Sequence, residues 1–183
     1  MIVFLTEEES MKVTLDTLIR KNWPQKTEGV DWIVLAFQGK SDLEKNIPMK
    51  MKSWCYGSPH FVILRDQDGT NCKAVKKKLV RIAQNSGRPF NVRVVCNELE
   101  SWFLGDLNAI EHAFPKSKAS KLKSMAKFRN PDLLTNASDE LAKVSKSFGK
   151  VGRASAIAKH FSPAKCVSRS FQVLWQTVTS HLA

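Results

Sequence analysis

Cysteine is scarce in this sequence, and its four copies are widely spaced. They are Cys55, Cys72, Cys96 and Cys166. A zinc motif places two cysteines about two to four residues apart, and no two of these four are that close in sequence. The spacing therefore excludes short zinc-binding motifs, and we expect the four thiols to be reduced and partly buried.

Long apolar runs are also absent. No run approaches the roughly 20 residues that a membrane-spanning helix needs. Met1–Leu5 is apolar, but it is too short for a signal peptide and continues directly into Glu7–Glu9. We therefore expect a cytoplasmic protein with no membrane contact. The 183 residues, 43% of them hydrophobic, suffice for one domain of ordinary size with a hydrophobic core.

Acidic residues are rare in the carboxyl-terminal third of the chain. Residues 116–183 contain 13 Lys or Arg and 3 Asp or Glu, whereas residues 1–115 contain 16 and 14. We predict an α/β core over 1–115 and a basic helical extension, packed on that core, over 116–183. A segment this basic favours a polyanionic partner, most often nucleic acid. A solvated basic surface and an acidic protein partner are the alternatives.

Strand and helix patterns alternate over the first 115 residues. Apolar runs predict strands at Met1–Thr6, Val30–Phe37, Phe61–Arg65 and Asn91–Asn97. Helical periodicity and helix breakers predict helices at Ser10–Asn22, Ser41–Pro48, Asn71–Asn85 and Ser101–Phe114. This alternation indicates an α/β fold with a mostly parallel four-stranded sheet flanked by helices.

Beyond Pro115 the patterns predict helices without strands. They lie at Leu133–Phe148, Arg153–His160 and Ser170–Leu182, with a basic loop at Gly149–Gly152. The last helix has one apolar face, formed by Phe171, Leu174, Trp175 and Val178. We interpret this face as part of the core, with a partner-binding surface as the alternative.

Acidic side chains follow three of the predicted strands. Asp66 and Asp68 follow the third strand, and alternation along an extended chain would point both carboxylates to the same side. Glu7–Glu9 follow the first strand, and Glu98 and Glu100 follow the fourth. We expect the side chains of Glu98 and Glu100 to face the same way, as well. Because parallel strands end at one edge of a sheet, these carboxylates are predicted to line one pocket. Such a cluster has raised pKa values or recruits a divalent cation such as Mg²⁺ or Mn²⁺. Unrelated acidic strand ends on a solvated edge are the alternative.

The arrangement resembles the Toprim domain shared by topoisomerases, primases and the overcoming-lysogenization-defect nucleases. That family has a glutamate after its first strand and Asp-x-Asp after its third, to which Glu7 and Asp66-Gln67-Asp68 are similar. The chain is most similar to a bacterial Toprim-like family that is often encoded beside an AAA-type ATPase. The matching segments are Glu7–Lys12, Gly39–Glu44, Leu64–Asp68, Glu98–Trp102, Leu104–Asp106, Phe128–Asp132 and Ser168–Phe171.

The resemblance implies a metal-dependent nuclease that acts on DNA or RNA, possible substrates including tRNA, as the effector of an anti-phage defence system. It implies that Glu7, Asp66, Asp68 and Glu100 bind the metal, that Glu7 is also the general base or acid, and that Glu98 completes the acidic shell. Asp106 is expected to cap a helix or to support the site from a distance. The candidate contacts to nucleic acid are Lys12, Lys40, Arg65, Arg129, Arg153 and Arg169.

One departure and two alternatives accompany this interpretation. Many Toprim nucleases have a glycine after the first glutamate and a further acid four residues past it, where this chain has Glu8 and Met11.

Topoisomerases need a tyrosine nucleophile on additional domains, and this chain has one tyrosine, Tyr56. The alternatives to a nuclease are a regulatory subunit that docks on an ATPase partner and a Toprim module that binds nucleic acid without cutting it.

Overall fold

Four short strands form one parallel sheet at the centre of the protein. The computed structural model describes residues 1–145 and 149–183, and within them the strand order is β2-β1-β3-β4. All neighbouring strands pair in parallel, so the α/β fold predicted from the sequence is confirmed. The strands are β1 (Ile2–Thr6), β2 (Trp32–Ala36), β3 (His60–Asp66) and β4 (Phe90–Val95).

The two central strands are apolar because helices cover both faces of the sheet. Every residue of β1 is buried, and so is every residue of β3 after His60. Alternation sends Ile2 and Phe4 of β1 into one hydrophobic cluster and Val3 and Leu5 into a second one on the opposite face. The sheet therefore separates two layers of core.

Eight α-helices pack around this sheet within the described residues. They are α1 (Glu9–Asn22), α2 (Lys40–Lys52), α3 (Cys72–Gln84), α4 (Leu99–Leu104), α5 (Leu107–Ala113), α6 (Ala137–Val144), α7 (Lys150–His160) and α8 (Arg169–Leu182). Four short 3₁₀ turns lie between α5 and α6, at Pro115–Ser117, Ala119–Ser124, Ala126–Phe128 and Pro131–Leu133. As far as the chain is described, no helix has the length and apolar character needed to cross a membrane.

Two predicted helix boundaries are wrong for reasons of tertiary packing. The second helix does not stop at Pro48, because Ile47 and Met51 are both buried and hold α2 together through its last turn to Lys52. The helix predicted at Ser101–Phe114 is interrupted at Gly105. A Cβ atom at Gly105 would lie 2.8 Å from the Sγ atom of Cys166, so the close packing at this break requires glycine.

The helices of the extension also differ from their predicted bounds. The segment predicted at Leu133–Phe148 contains the end of a 3₁₀ turn and then α6, and its residues 146–148 lie outside the described residues. The basic loop predicted at Gly149–Gly152 is instead the start of α7, which begins at Lys150.

The carboxyl-terminal segment shares its hydrophobic core with the sheet. Helix α7 packs along α1, and Ile157 belongs to the same cluster as Leu15. The apolar face of α8 lies in this cluster too, and its Trp175 ring stacks obliquely on Trp23 with centroids 5.1 Å apart. The interpretation of the α8 face as core is therefore confirmed.

Candidate acidic site at the carboxyl edge of the sheet

Glu7 and Asp66 are brought together by the pairing of β1 with β3. Thr6 lies opposite Leu64 in the ladder, so Glu7 follows its strand beside the end of β3. The backbone N–H of Glu7 donates to the carbonyl of Leu64, at 3.2 Å. In return, the backbone N–H of Asp66 donates to the Oε2 atom of Glu7, at 3.1 Å. The two carboxylates predicted to share this edge therefore do so.

Glu98 and Glu100 do not face the same way. The strand alternation assumed from the sequence is wrong here, because α4 begins at Leu99. Glu100 lies in the first turn of α4, is buried, and acts electrostatically on Asp66. The Glu98 carboxylate turns to the start of α6, where its Oε2 atom accepts a hydrogen bond from the backbone N–H of Ser138 at 2.8 Å.

Asp68 lies outside the buried cluster. Its φ of 53° is left-handed, so the extended-chain argument that aligned it with Asp66 is wrong. Asp66 is only 5% exposed, whereas the Asp68 side chain is 33% exposed. The Asp68 carboxylate pairs with Lys40 at 3.1 Å. Asp68 and Lys40 therefore form the outer rim of the site.

Lys150 supplies a cation that the sequence patterns did not identify. It begins α7, and its Nζ atom donates to the Oε2 atom of Glu8 at 2.7 Å. Burial favours the neutral amine, but the carboxylates of Glu100, Glu8 and Asp66 outweigh it and raise the pKa of Lys150. The other Glu8 oxygen accepts a short hydrogen bond from the Ser10 hydroxyl. Lys150 thus neutralises part of the acidic cluster from a distant segment of the chain.

The surroundings of Glu7, Asp66 and Glu100 favour the protonated form of each carboxyl group. Burial, with the Glu8 charge next, raises the pKa of Asp66 well above its ordinary value. Burial also raises the pKa of Glu100, and burial together with the Asp68 charge raises that of Glu7. These directions are expected for carboxyl groups that lose water and repel one another.

Two oxygen atoms of this cluster are buried without a hydrogen-bond partner. They are the Oδ1 atom of Asp66 and the Oε2 atom of Glu100. Buried polar atoms are normally paired, and carboxylate oxygens are the preferred ligands of Mg²⁺. The donor chemistry therefore fits a divalent cation.

The arrangement is not a complete metal site as it stands. Within residues 1–145 and 149–183, no group of three or more His, Cys, Asp or Glu side chains is arranged to hold a metal ion. Several carboxylates already have cationic partners: Asp68 pairs with Lys40, and Glu8 with Lys150. Metal binding at this edge would require some of these ion pairs to open.

Arg65 is buried beneath the site and does not reach the surface. Its Nη1 atom lies 2.7 Å from the Oε1 atom of Glu44, and its Nε atom lies 3.8 Å from the Oε2 atom of Glu7. The other Glu44 oxygen pairs with Lys78. This placement makes Arg65 a positioning residue for Glu7 rather than a direct contact to a nucleic-acid backbone.

The remaining candidate cations are spread over the surface. Lys12 pairs with Asp16 one turn along α1, at 2.9 Å. Arg129 is exposed and lines a pocket of about 630 Å³ together with Lys123 and Lys165. Arg169 lines a different cleft, and the Nε atom of Arg153 is buried without a hydrogen-bond partner. These four cations therefore belong to four different segments of the fold.

Two segments that carried the family resemblance meet at Asp132. Its carboxylate accepts hydrogen bonds from the Ser168 hydroxyl at 2.6 Å and from the Ser170 backbone N–H at 2.7 Å. The Ser170 hydroxyl in turn accepts from the Trp102 indole N–H at 2.9 Å. Asp106, as expected, caps a helix, since it accepts from the Ala109 N–H at the start of α5. The hydrogen bonds among Asp132, Ser170 and Trp102 hold the start of α8 against α4, so their role is structural.

Comparison with known proteins places the chain in a family. The sequence profile of the domain of unknown function DUF4276 matches residues 6–179. A similar fold occurs in the C-terminal region of the OLD protein of Xanthomonas campestris pv. campestris, with a TM-score of 0.54 at 14% identity, over 98% of this chain and 90% of that one. At this identity the likeness shows the fold alone, and no curated protein matches the sequence. Because the profile covers nearly the whole chain, the protein belongs to the DUF4276 family.

Proposed function

We propose that this protein is a Toprim-type nuclease that hydrolyses phosphodiester bonds of DNA or RNA at the carboxyl edge of its sheet, with Mg²⁺ or Mn²⁺ as cofactor. The main support for this proposal is a pair of buried oxygens without hydrogen-bond partners, Asp66 Oδ1 and Glu100 Oε2. They lie in a cluster of carboxyl groups with raised pKa values. The fold shared with the C-terminal region of an OLD protein is the fold that this proposal expects.

In this proposal four carboxylates would hold the ion. Asp66 and Glu100 would provide the unpartnered oxygens, and Glu7 and Asp68 would complete the set, with Asp68 no longer paired with Lys40. A bound divalent ion neutralises charge on the scissile phosphate and lowers the pKa of coordinated water. The chain itself supplies the geometry, because Asp66 and Glu7 are fixed to each other by the backbone hydrogen bond.

Glu7 is the proposed proton-transfer group. Its Oε2 atom is held by the Asp66 N–H and lies near Arg65, which leaves Oε1 to take a proton from the attacking water or to give one to the leaving oxygen. Burial and the Asp68 charge raise its pKa toward neutrality, the direction that suits a general acid or base. Arg65 keeps the carboxylate in place.

Lys150 is the proposed phosphate-binding cation. Its ammonium group already lies among the acidic side chains, paired with Glu8. A phosphate group of the substrate would replace Glu8 as its partner, and the fixed positive charge would stabilise the charge that develops on the phosphate in the transition state.

A basic surface is proposed to guide the nucleic acid to this edge. Residues 116–183 contain 13 basic and 3 acidic residues. Arg129, Lys123 and Lys165 surround an accessible pocket and are suited to contact phosphates. Contacts of this kind make the affinity fall steeply as salt is added.

Binding of nucleic acid without cleavage is the second candidate function. It is favoured by the lack of a ready metal-holding group in the described part of the chain and by Lys150, which neutralises Glu8 without a metal. Docking on an AAA-type ATPase in an anti-phage system stays a prediction. The apolar face of α8 does not support it, because Phe171, Leu174 and Val178 of that face are buried.

Calorimetric titration with Mg²⁺ and Mn²⁺, followed by a cleavage screen on DNA and RNA, tests the proposal. Wild type should bind an ion and cleave, Asp66→Asn should do neither, and the surface variant Asp139→Asn should match wild type. Nucleic-acid binding with no cleavage under either metal, unchanged in Asp66→Asn, would establish the second candidate instead.

A further inference from the structure

Two cysteines lie in contact beside the acidic site. The Sγ atoms of Cys72 and Cys96 are 4.0 Å apart. Cys72 is the first residue of α3, and Cys96 directly follows β4. Both side chains are partly buried, and neither is used in the proposed hydrolysis.

These cysteines mark the bases of the two acidic loops. Cys72 directly follows the loop that begins after Asp66 and carries Asp68, and Cys96 begins the loop that leads to Glu100. The loops already contact each other, because the backbone N–H of Gln67 donates to the carbonyls of Val95 and Asn97, each at 2.9 Å. A bond between the two sulfurs would therefore connect the loops covalently at the edge of the site.

A small cleft of about 220 Å³ lies at the two cysteines. It is lined by Cys72 and Cys96, and also by the basic residues Lys76, Arg93 and Arg169. An uncharged oxidant such as hydrogen peroxide is small enough to enter it. The other two cysteines differ, since Cys55 is exposed and Cys166 is buried.

We propose that Cys72 and Cys96 form a reversible disulfide when the protein meets hydrogen peroxide, and that this bond fixes the two acidic loops in an altered position. The sulfur of Cys72 attacks one peroxide oxygen, the O–O bond breaks, and sulfenic acid and one water form. The sulfur of Cys96 then attacks the sulfenic sulfur, the S–O bond breaks, and the second water leaves with the proton from the Cys96 thiol. Two thiols are oxidised and one peroxide is reduced to two waters.

The order of the two steps follows from the surroundings of Cys96. Burial and the adjacent Cys72 thiol raise the pKa of Cys96 to about 12. Thiolate, rather than thiol, attacks peroxide, so the first oxidation occurs at Cys72. Cys96 then resolves the sulfenic acid from within contact distance.

The consequence for metal binding rests on the proposed function. A disulfide brings its sulfurs to about 2 Å, so the present contact must shorten by roughly 2 Å. This movement shifts Cys72 and the loop that carries Asp68 toward β4, and it hinders Asp68 from joining the carboxylates that would hold the ion. We expect the oxidised protein to bind Mg²⁺ several-fold more weakly than the reduced protein, and dithiothreitol to restore the affinity.

Peptide mapping of the full-length protein tests the bond itself. Each cysteine falls in a different tryptic peptide: Cys72 in residues 66–73, Cys96 in 94–116, Cys55 in 53–65 and Cys166 in 166–169. After treatment with hydrogen peroxide, alkylation of the remaining thiols and digestion without reductant, the first two peptides should appear linked, two hydrogen atoms lighter than their sum.

Variants make the test specific. Cys72→Ser and Cys96→Ser should each lose the linked peptide, whereas Cys55→Ser should keep it. Over-oxidised Cys72 or disulfides through Cys55, with no Cys72–Cys96 peptide from protein whose circular dichroism is unchanged, would overturn the proposal. Mass spectrometry detects the bond whether or not the protein binds metal, so a failure of the proposed nuclease function is seen separately. Unchanged Mg²⁺ affinity in fully linked protein would overturn the coupling to the site.

Discussion

Asp66→Asn should stabilise the metal-free protein while it removes the proposed metal site. In the folded state the pKa of Asp66 is well above its ordinary value of 3.8, chiefly because of burial. At a pH below the ordinary value both the folded and the unfolded chain are protonated at Asp66, and the fold loses nothing. As the pH rises, the unfolded chain ionises first, so the wild type loses stability progressively until the folded group has titrated too. Asparagine stays neutral and avoids this loss.

The expected magnitude follows from the raised pKa. Each pH unit by which the folded-state pKa of Asp66 exceeds the unfolded-state value costs the wild type more than about 1 kcal/mol at a pH above both values. In a chain of this length, 1 kcal/mol shifts the melting temperature by about 2–4 °C. We therefore expect Asp66→Asn to melt a few degrees above wild type at neutral pH in EDTA, with the difference vanishing as the pH falls toward about 4.

Mg²⁺ should reverse the order. A ligand at a hundred times its dissociation constant adds about 2.7 kcal/mol to the stability of a protein that binds it only when folded. Wild type should gain this amount and overtake Asp66→Asn, which should gain nothing.

Thermal melts followed by circular dichroism, with and without Mg²⁺ and across pH, measure both effects. Asp139→Asn is the matched control, because Asp139 is exposed in the first turn of α6 and should respond to Mg²⁺ as wild type does. The reasoning is refuted if Asp66→Asn melts below wild type in EDTA at neutral pH, since a paired carboxylate would then be stabilising the fold.

Three further substitutions test other contacts. Arg65→Met should lower the free energy of unfolding in urea by about 1.5–3 kcal/mol, because the partly buried carboxylate of Glu44 loses a charged hydrogen bond and keeps only its pairing with Lys78. Lys150→Gln should lower the melting temperature of the metal-free protein and enlarge the rise that Mg²⁺ produces, since the acidic cluster loses its internal cation. Asp132→Asn should cost about 1.5–3 kcal/mol in urea, because it weakens the charged hydrogen bonds to Ser168 at the start of α8.

Two of these three variants have a control of the same chemistry. Arg81→Met and Lys159→Gln change exposed residues of α3 and α7 and should leave stability within about 0.5 kcal/mol of wild type. Equal effects of Arg65→Met and Arg81→Met would contradict the role of the buried ion pair. A smaller Mg²⁺ response in Lys150→Gln than in Lys159→Gln would show that the ammonium group assists metal binding instead of opposing it.

The sheet could be predicted from the sequence because its strands are buried on both faces. Burial makes β1 and β3 continuous apolar runs, which local composition reveals directly. The errors arose where distant packing decides the structure. Pro48 stays helical because buried neighbours hold the last turn of α2. The chain leaves the helix at Asp106, next to Gly105, where Cys166 packs too closely for a side chain.

Only those residues of the acidic site that directly follow a strand could be placed from the sequence. Glu7 and Asp66 follow neighbouring parallel strands, so topology alone places them together. The ion pair of Arg65 with Glu44 and the approach of Lys150 to Glu8 depend on how helices cross the edge, and no local pattern encodes that. Charge runs could show that the extension is basic, but not which lysine enters the site.

The ion pair between Lys150 and Glu8 joins residues 142 positions apart in the sequence. During synthesis the strands that carry the carboxylates leave the ribosome long before α7 does. The growing chain therefore lacks the cation that pairs with Glu8, and this charge is balanced only when α7 packs on α1. In the proposed reaction Lys150 also binds the phosphate, so the site is complete only after α7 has been synthesised and has packed.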